Sequence, residues 1–184
     1  MEDVDNLGLK KGIVELTDYD NNYTNIFLEE KKNLEKILKG KYIRIEHVGS
    51  TAIKNIKSKP IIDILVTCKD LFEFQKFVKE NVESEIYTVK EMNERAEDFL
   101  IRKEEDGKVK AFIHVVPEDS IITQEYILFR DYLNKYPKEA KHYEELKIEL
   151  LKKYKDERPK YTEGKHEYIR SIIEKAKNEE KNIE

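Results

Sequence analysis

The segment from Ile45 to Val66 reads IEHVGSTAIKNIKSKPIIDILV. It begins inside a run from Tyr42 to Val48 in which Ile43, Ile45 and His47 alternate with Arg44 and Glu46, the period of a strand. The run breaks at Gly49-Ser50-Thr51, crosses the basic stretch AIKNIKSK and resumes after Pro60 as Ile61 to Thr67. This second run is apolar on both faces except at Asp63, the pattern of a strand covered on both sides. Burying an ionised carboxylate is costly unless a cation, a metal or several donors meet it, so Asp63 implies a partner. The Gly-Ser-Thr bend has the features of a phosphate cradle: close backbone approach at Gly49, hydroxyls on Ser50 and Thr51, and free N–H groups if a helix starts there. Bend and acid together point to a nucleotide and metal site. Lys59, extended by the proline after it, could bind phosphate or neutralise Asp63, or be an ordinary loop lysine.

Toward the N-terminus, residues 1 to 12 are polar and expected to be loosely ordered, and Ile13 to Leu16 is expected to be a short strand. The cluster Asp18 to Asn22 can turn and cap a helix that runs to about Lys39 and stops at Gly40. Tyr23, Ile26, Phe27, Leu34, Ile37 and Leu38 share its apolar face, with Glu30 in the middle as either a buried ion pair or a ligand. Toward the C-terminus a helix is predicted over Leu71 to Glu80, a strand over Ile86 to Val89, then an acidic link from Glu91 to Glu97. Two strands follow, near Asp98 to Lys103 and from Val109 to Val116, joined at Glu105-Asp106-Gly107, a hairpin signal. From Thr123 onward the chain reads as helical over about 124 to 135, 138 to 155 and 163 to 177, with breaks at Pro137 and Pro159, and Thr162 as N-cap of the last helix. The division is thus an α/β core over 13 to 122, helices packed on it over 123 to 177, and a charged tail, 178 to 184, that frays.

Three cations fall on the apolar faces of those helices: Arg130 beside Tyr126, Phe129 and Leu133; Lys147 within Tyr143, Leu146, Leu150, Leu151 and Tyr154; Lys165 beside Tyr168, Ile169, Ile172 and Ile173. Such residues rarely lie on a core stripe without a partner. They form either a buried salt-bridge network docking the helices on the sheet, or a cationic wall facing Asp63 that binds phosphates. His47 and His114, on different strands, could approach each other or Asp63, and His142 and His166 read as ordinary helix residues.

The composition narrows the partners. With 184 residues, 35 basic against 39 acidic and a net charge of −4, the chain holds one domain with a core and argues against broad nucleic-acid binding. A single cysteine, Cys68, excludes an internal disulfide and a cysteine-rich zinc site, and reads as a buried, inert thiol. No apolar run reaches the length of a membrane span and MEDVDNLGLKKG lacks a secretory pattern, so a soluble, cytoplasmic protein is expected.

The bend followed about a dozen residues later by an acidic strand resembles the signature of the nucleotidyltransferase superfamily. More closely, the chain resembles the GrpB family, whose blocks stand here as Gly49-Ser50-Thr51, Lys59 to Ile64, His114 to Val116, Leu128 to Leu133 and Tyr161 to Lys165, over roughly residues 14 to 176. The resemblance implies an α/β fold of nucleotidyltransferase type, a mixed sheet with packed helices and a C-terminal helical layer closing a cleft. It specifies no established reaction. Active nucleotidyltransferases of this pattern carry Asp-x-Asp or Asp-x-Glu for two divalent metals, whereas the second position here is Leu65, on the same strand face as Asp63.

Two functions follow as expectations. In the first, Gly49, Ser50, Thr51 and Lys59 hold the phosphates of a nucleotide, Asp63 binds one Mg²⁺ with help from Glu46 or His114, His114 serves as base, and Arg130, Lys147 and Lys165 neutralise the phosphates during nucleotidyl transfer. In the second, Leu65 has removed metal binding, and the cleft recognises a nucleotide, a protein or a coenzyme A precursor, the last because some relatives are joined to an enzyme of coenzyme A synthesis.

Overall fold

The computed structural model describes residues 7–90, 97–155 and 157–182. The period-two runs form five strands, β1 (Arg44–Val48), β2 (Ile62–Cys68), β3 (Tyr87–Val89), β4 (Phe99–Glu105) and β5 (Lys108–Pro117), in one sheet of order β1-β2-β5-β4-β3. Only β2 and β5 run parallel, so the sheet is mixed, as expected. The hairpin between β4 and β5 turns on Asp106-Gly107, both at positive φ, the requirement of a two-residue loop that follows the sheet's twist.

Register decides what each face carries. Ile62, Ile64 and Val66 point to one face with Ile45, Ile113, Val115 and Ile101, where α1 (Tyr23–Leu38) and α2 (Leu71–Asn81) cover them through Tyr23, Phe27, Leu34, Phe74 and Val78. The pairings Val48 with Asp63, Glu46 with Leu65, and Leu65 with His114 put those residues on the opposite face. There α3 (Ile121–Lys135), α4 (Pro137–Lys153), α5 (Arg158–Glu163) and α6 (His166–Lys181) build the C-terminal layer. Ile53 and Ile56, after the bend, are buried among Phe129, Leu133, Tyr143 and Ile172 of that layer, so the basic link between β1 and β2 clamps sheet to helices.

Several boundaries differ from those predicted. Residues 13 to 16 form no strand; the N-terminal segment attaches through two isolated bridges, Leu9 to Val109 and Thr17 to Ser58, and Leu9 is buried. Residues 7 to 12 are therefore anchored on β5, while residues 1–6 lie outside the described residues, as do 91–96 of the acidic link. Thr162 lies within α5, an additional helix that Pro159 opens from its first turn, and Lys165 precedes α6. Helix α6 continues past Lys177 to Lys181, where Lys177 pairs with Glu125 at 3.0 Å and Glu179 accepts from Lys135 and Tyr136, both at 2.5 Å. Residues 183–184 lie outside the described residues.

Glu30 takes the ion-pair role. Its carboxylate meets Lys103 at 2.6 Å and the Tyr87 hydroxyl at 2.7 Å, bracing α1 against β3 and β4. Burial pulls the Lys103 ammonium down, but Glu30 and Glu105 outweigh it and hold it above the ordinary lysine range. Cys68 is buried, its thiol pushed up to about 11 by burial, as an inert core residue should be.

Candidate functional site

Between the polar face of the sheet and the helical layer lies a cavity of about 570 Å³. Gly49, Ser50, Lys59, Asp63 and His114 enter it from the sheet side, and Tyr126, Tyr143, Lys147, Tyr161 and Lys165 from the helices. Asp63 thus opens onto a space shared with three lysines.

The acid is held from two sides. Gly49, at φ 71°, presses on it so closely that a Cβ there would lie 2.5 Å from Asp63 Oδ2. Across the sheet, His114 Nε2 lies 3.1 Å from Asp63 Oδ1, and Tyr126 Oη lies 3.0 Å from His114 Nδ1. An ionised carboxylate only accepts, so Nε2 carries the proton and, in the neutral ring, Nδ1 accepts from the Tyr126 hydroxyl. Burial pushes the Asp63 carboxyl up, yet the His114 hydrogen bond and the charges of His114, Lys59 and Lys165 outweigh it and keep the group below the usual carboxylate range. Burial raises the Tyr126 phenol, so Tyr126 stays a hydrogen-bond donor at neutral pH.

The bend is a single 3-10 turn, Ser50–Ala52, too short for a helix N-terminal anion site. Ser50 and the buried Tyr143 both face the cavity. Thr51 does not face it: the residue is buried and its hydroxyl sits 2.9 Å from His47 Nε2. His47 lies on the opposite sheet face from Asp63, stacked on Phe27 at 5.0 Å, because side chains alternate along β1. Burial brings its imidazole down to about 4, with Arg130 adding to the effect and Asp63 opposing it.

The three inward cations do not share one setting. Arg130 belongs to the docking network: it donates to Glu46 at 2.9 Å and to the His47 carbonyl at 3.0 Å, and its Nε pairs with Asp131. Arg130 and Glu46 therefore stand outside the cavity, each satisfied by the other. Lys147 and Lys165 line the cavity, the second with its ammonium 5.0 Å from the Tyr161 ring centre, and Lys59 joins them from the loop before β2. His142 and His166 are exposed helix residues.

A divalent cation fits this donor set poorly. Asp63 and His114 are bonded to each other, Glu46 is spent on Arg130, and among the described residues no three His, Cys, Asp or Glu side chains converge. Three lysines share the space and would repel a dication. Leu65, at the second carboxylate position, is fully buried against Val48 and Val116.

Tyr126, Tyr143 and Tyr161 are site residues that the sequence did not mark. Tyr126 and Tyr143 lie on apolar helical stripes, where a core reading is natural, and Tyr161 falls in the break before the last predicted helix; the one signal was that a buried tyrosine hydroxyl needs a polar partner, and the sequence does not say which.

The GrpB protein family model matches residues 13–175. The chain belongs to the GrpB family. It is 37% identical over 170 residues to the glutamate-rich protein GrpB of Alkalihalophilus pseudofirmus, covering 91% of this chain and 98% of that one. It is 33% identical over 164 residues to the UPF0157 protein YqkA of Bacillus subtilis, covering 89% of this chain and 47% of the relative, so this GrpB chain spans about half of that longer protein. The crystal structure of the conserved protein GrpB from Enterococcus faecalis superimposes with a TM-score of 0.78 at 28% identity, over 88% of this chain and 96% of that one. The family match runs to residue 175, within α6.

Proposed function

We propose that this GrpB protein binds a phosphate-bearing small molecule, of the nucleotide class, in the cavity between sheet and helices, and that it does so without two-metal chemistry. The observation that carries the reading is the convergence of Lys59, Lys147 and Lys165 on one cavity in which, among the described residues, the acid besides Asp63 is Glu125, paired at 3.0 Å with Lys177. Lysines brought together by three separate parts of the fold repel one another, and an anion between them relieves that repulsion. Beyond them Phe112, Ile122, Phe129 and Ile169 offer an apolar wall for the rest of the ligand, and the volume lies in the range of small-molecule sites.

A second reading, nucleotidyl transfer through a metal on Asp63, draws on one observation: the Gly-Ser bend packs directly against that acid, as the nucleotidyltransferase resemblance requires. One substitution separates the two. Asp63→Asn removes a negative charge beside the anion; a unit charge about 6 Å away is worth roughly 3 kcal/mol at an effective dielectric of about 20, and half of that gives about tenfold. The expected result in nucleotide titrations is therefore tighter binding by Asp63→Asn and no dependence on Mg²⁺. Binding that requires Mg²⁺ and weakens in Asp63→Asn would overturn the first reading in favour of the second.

A further inference from the structure

Tyr126 lines the cavity with its hydroxyl committed to a neighbour. Its Oη lies 3.0 Å from His114 Nδ1, and on the far side of the same ring His114 Nε2 lies 3.1 Å from Asp63 Oδ1; all three residues face the cavity. The phenol ring packs on the imidazole, 5.2 Å between centres and tilted by 41°, which holds the two as a unit. The chain of hydrogen bonds has one direction. Ionised Asp63 can only accept, so the imidazole proton sits on Nε2, and the lone pair left on Nδ1 takes the proton of the Tyr126 hydroxyl.

A phenol oxygen that has given its proton away keeps lone pairs and has nothing left to donate. With His114 neutral, Tyr126 therefore offers the cavity an acceptor, strengthened by the charge of Asp63 at the other end of the chain. An ionised phosphate, whose oxygens also accept, is not drawn to it; a donor is. The acceptor stands close to the acid: Tyr126 Oη lies at most about 8 Å from Asp63 Oδ1, two hydrogen bonds and one imidazole away. Asp63 in turn is near enough to Lys59 and Lys165 for their charges to act on it. A ligand with its phosphate at the lysines thus brings the next few atoms of its body to Tyr126. In a nucleotide those atoms are the ribose, and the neutral donors there are its hydroxyl groups. The base then meets the apolar wall of Phe112, Ile122, Phe129 and Ile169.

We propose that Tyr126, its proton given to His114, is the acceptor for a ribose hydroxyl of the bound nucleotide. This rests on the phosphate-binding reading above and goes beyond it in naming the sugar as a recognised part of the ligand and the residue that reads it. His114 and Asp63 are positioning residues: they set which way the Tyr126 hydroxyl points and act on the ligand through it.

Calorimetric titration of the full chain at about pH 8, where imidazoles ordinarily carry no charge, compares adenosine 5′-monophosphate with its 2′,3′-dideoxy analogue. The wild-type protein should bind the monophosphate about tenfold tighter, the effect of leaving one polarised acceptor unpaired in the analogue. Tyr126→Phe should bind the two within about twofold of each other, whereas a merely structural role for Tyr126 would weaken both alike and leave their ratio in place. The ring-nitrogen NMR shifts of His114 report the chain without any ligand: the proton is expected on Nε2, and a proton on Nδ1 in the neutral ring overturns the inference. Should Tyr126→Phe not fold, these shifts and the wild-type ratio decide. Equal wild-type affinities, or a preference that survives in Tyr126→Phe, overturn this inference and leave the phosphate-binding reading standing. Absence of binding by either nucleotide overturns the reading beneath it and this inference with it.

Discussion

Gly49→Ala tests the contact that sets the site. Gly49 has φ 71° and ψ −168°, a region that side chains other than glycine's enter at a cost of about 1–3 kcal/mol. The added Cβ would also stand 2.5 Å from Asp63 Oδ2, 2.8 Å from Asp63 Cβ and 2.9 Å from Asp63 Cγ. Rotating the Asp63 side chain relieves the first contact but not the second, because Cβ moves only with the backbone of β2. Overpacking of this kind costs about 1–3 kcal/mol more. The sum, about 4 kcal/mol, lowers the melting temperature of a chain this size by roughly 8–16 °C. Gly107→Ala is the control, since Gly107 also has a positive φ of 70° but meets nothing within 4 Å; it carries only the conformational cost, about 2 kcal/mol, and should lose about 4–8 °C. Thermal unfolding followed by circular dichroism compares the two. Equal losses would refute the claim that the bend is pressed onto the acid.

Two further outcomes are expected. Glu30→Gln leaves Lys103, 14% exposed, with Glu105 at 3.3 Å as its remaining ion-pair partner among the described residues, and should cost about 3 kcal/mol, whereas replacing Glu30 and Lys103 together by Leu and Met should recover most of it; a double variant as unstable as the single one in chemical denaturation would contradict this. His47, a base held below its unfolded value, binds fewer protons folded than unfolded between about pH 4 and 6.5, so it subtracts stability as pH falls through that window. Its ring resonances should stay those of neutral imidazole down to about pH 5, and a midpoint near 6.5 by NMR would contradict the burial argument.

The parts of this fold that were legible in the sequence are those written in a local period. The runs ending at Val48 and crossing Asp63 are strands, the Asp106-Gly107 hairpin turns where its residue types demand, and α1, α2 and α4 lie close to their apolar stripes. Misplaced were features set by a single distant contact. Leu9 is buried because its backbone pairs with Val109, about a hundred residues later, and no pattern within residues 1 to 12 announces that. The site divides in the same way. Asp63 and Lys147 could be singled out because a charge on an apolar face is anomalous wherever the face turns. Arg130 carried the same anomaly, but its role depended on Glu46 lying across the sheet from Leu65, a matter of register. Thr51 turned away because the bend makes one 3-10 turn and stops.

Leu65 bears on more than the missing ligand. A two-metal site needs an excess of carboxylates, since the acids must neutralise the ions as well as hold them. On this sheet face the position two residues from Asp63 carries a leucine buried between Val48 and Val116, and the next acid across, Glu46, is matched by Arg130. The helical layer then brings lysines to the one acid that remains. On the proposed reading, these lysines meet the charge of a phosphate where metal ions would do so in a two-metal site. On that same reading Asp63 acts otherwise than as a metal ligand. Bonded to His114 and surrounded by lysines, it offsets part of their charge when the cavity is empty. That is why its removal should strengthen anion binding while its displacement by Gly49→Ala should weaken the fold.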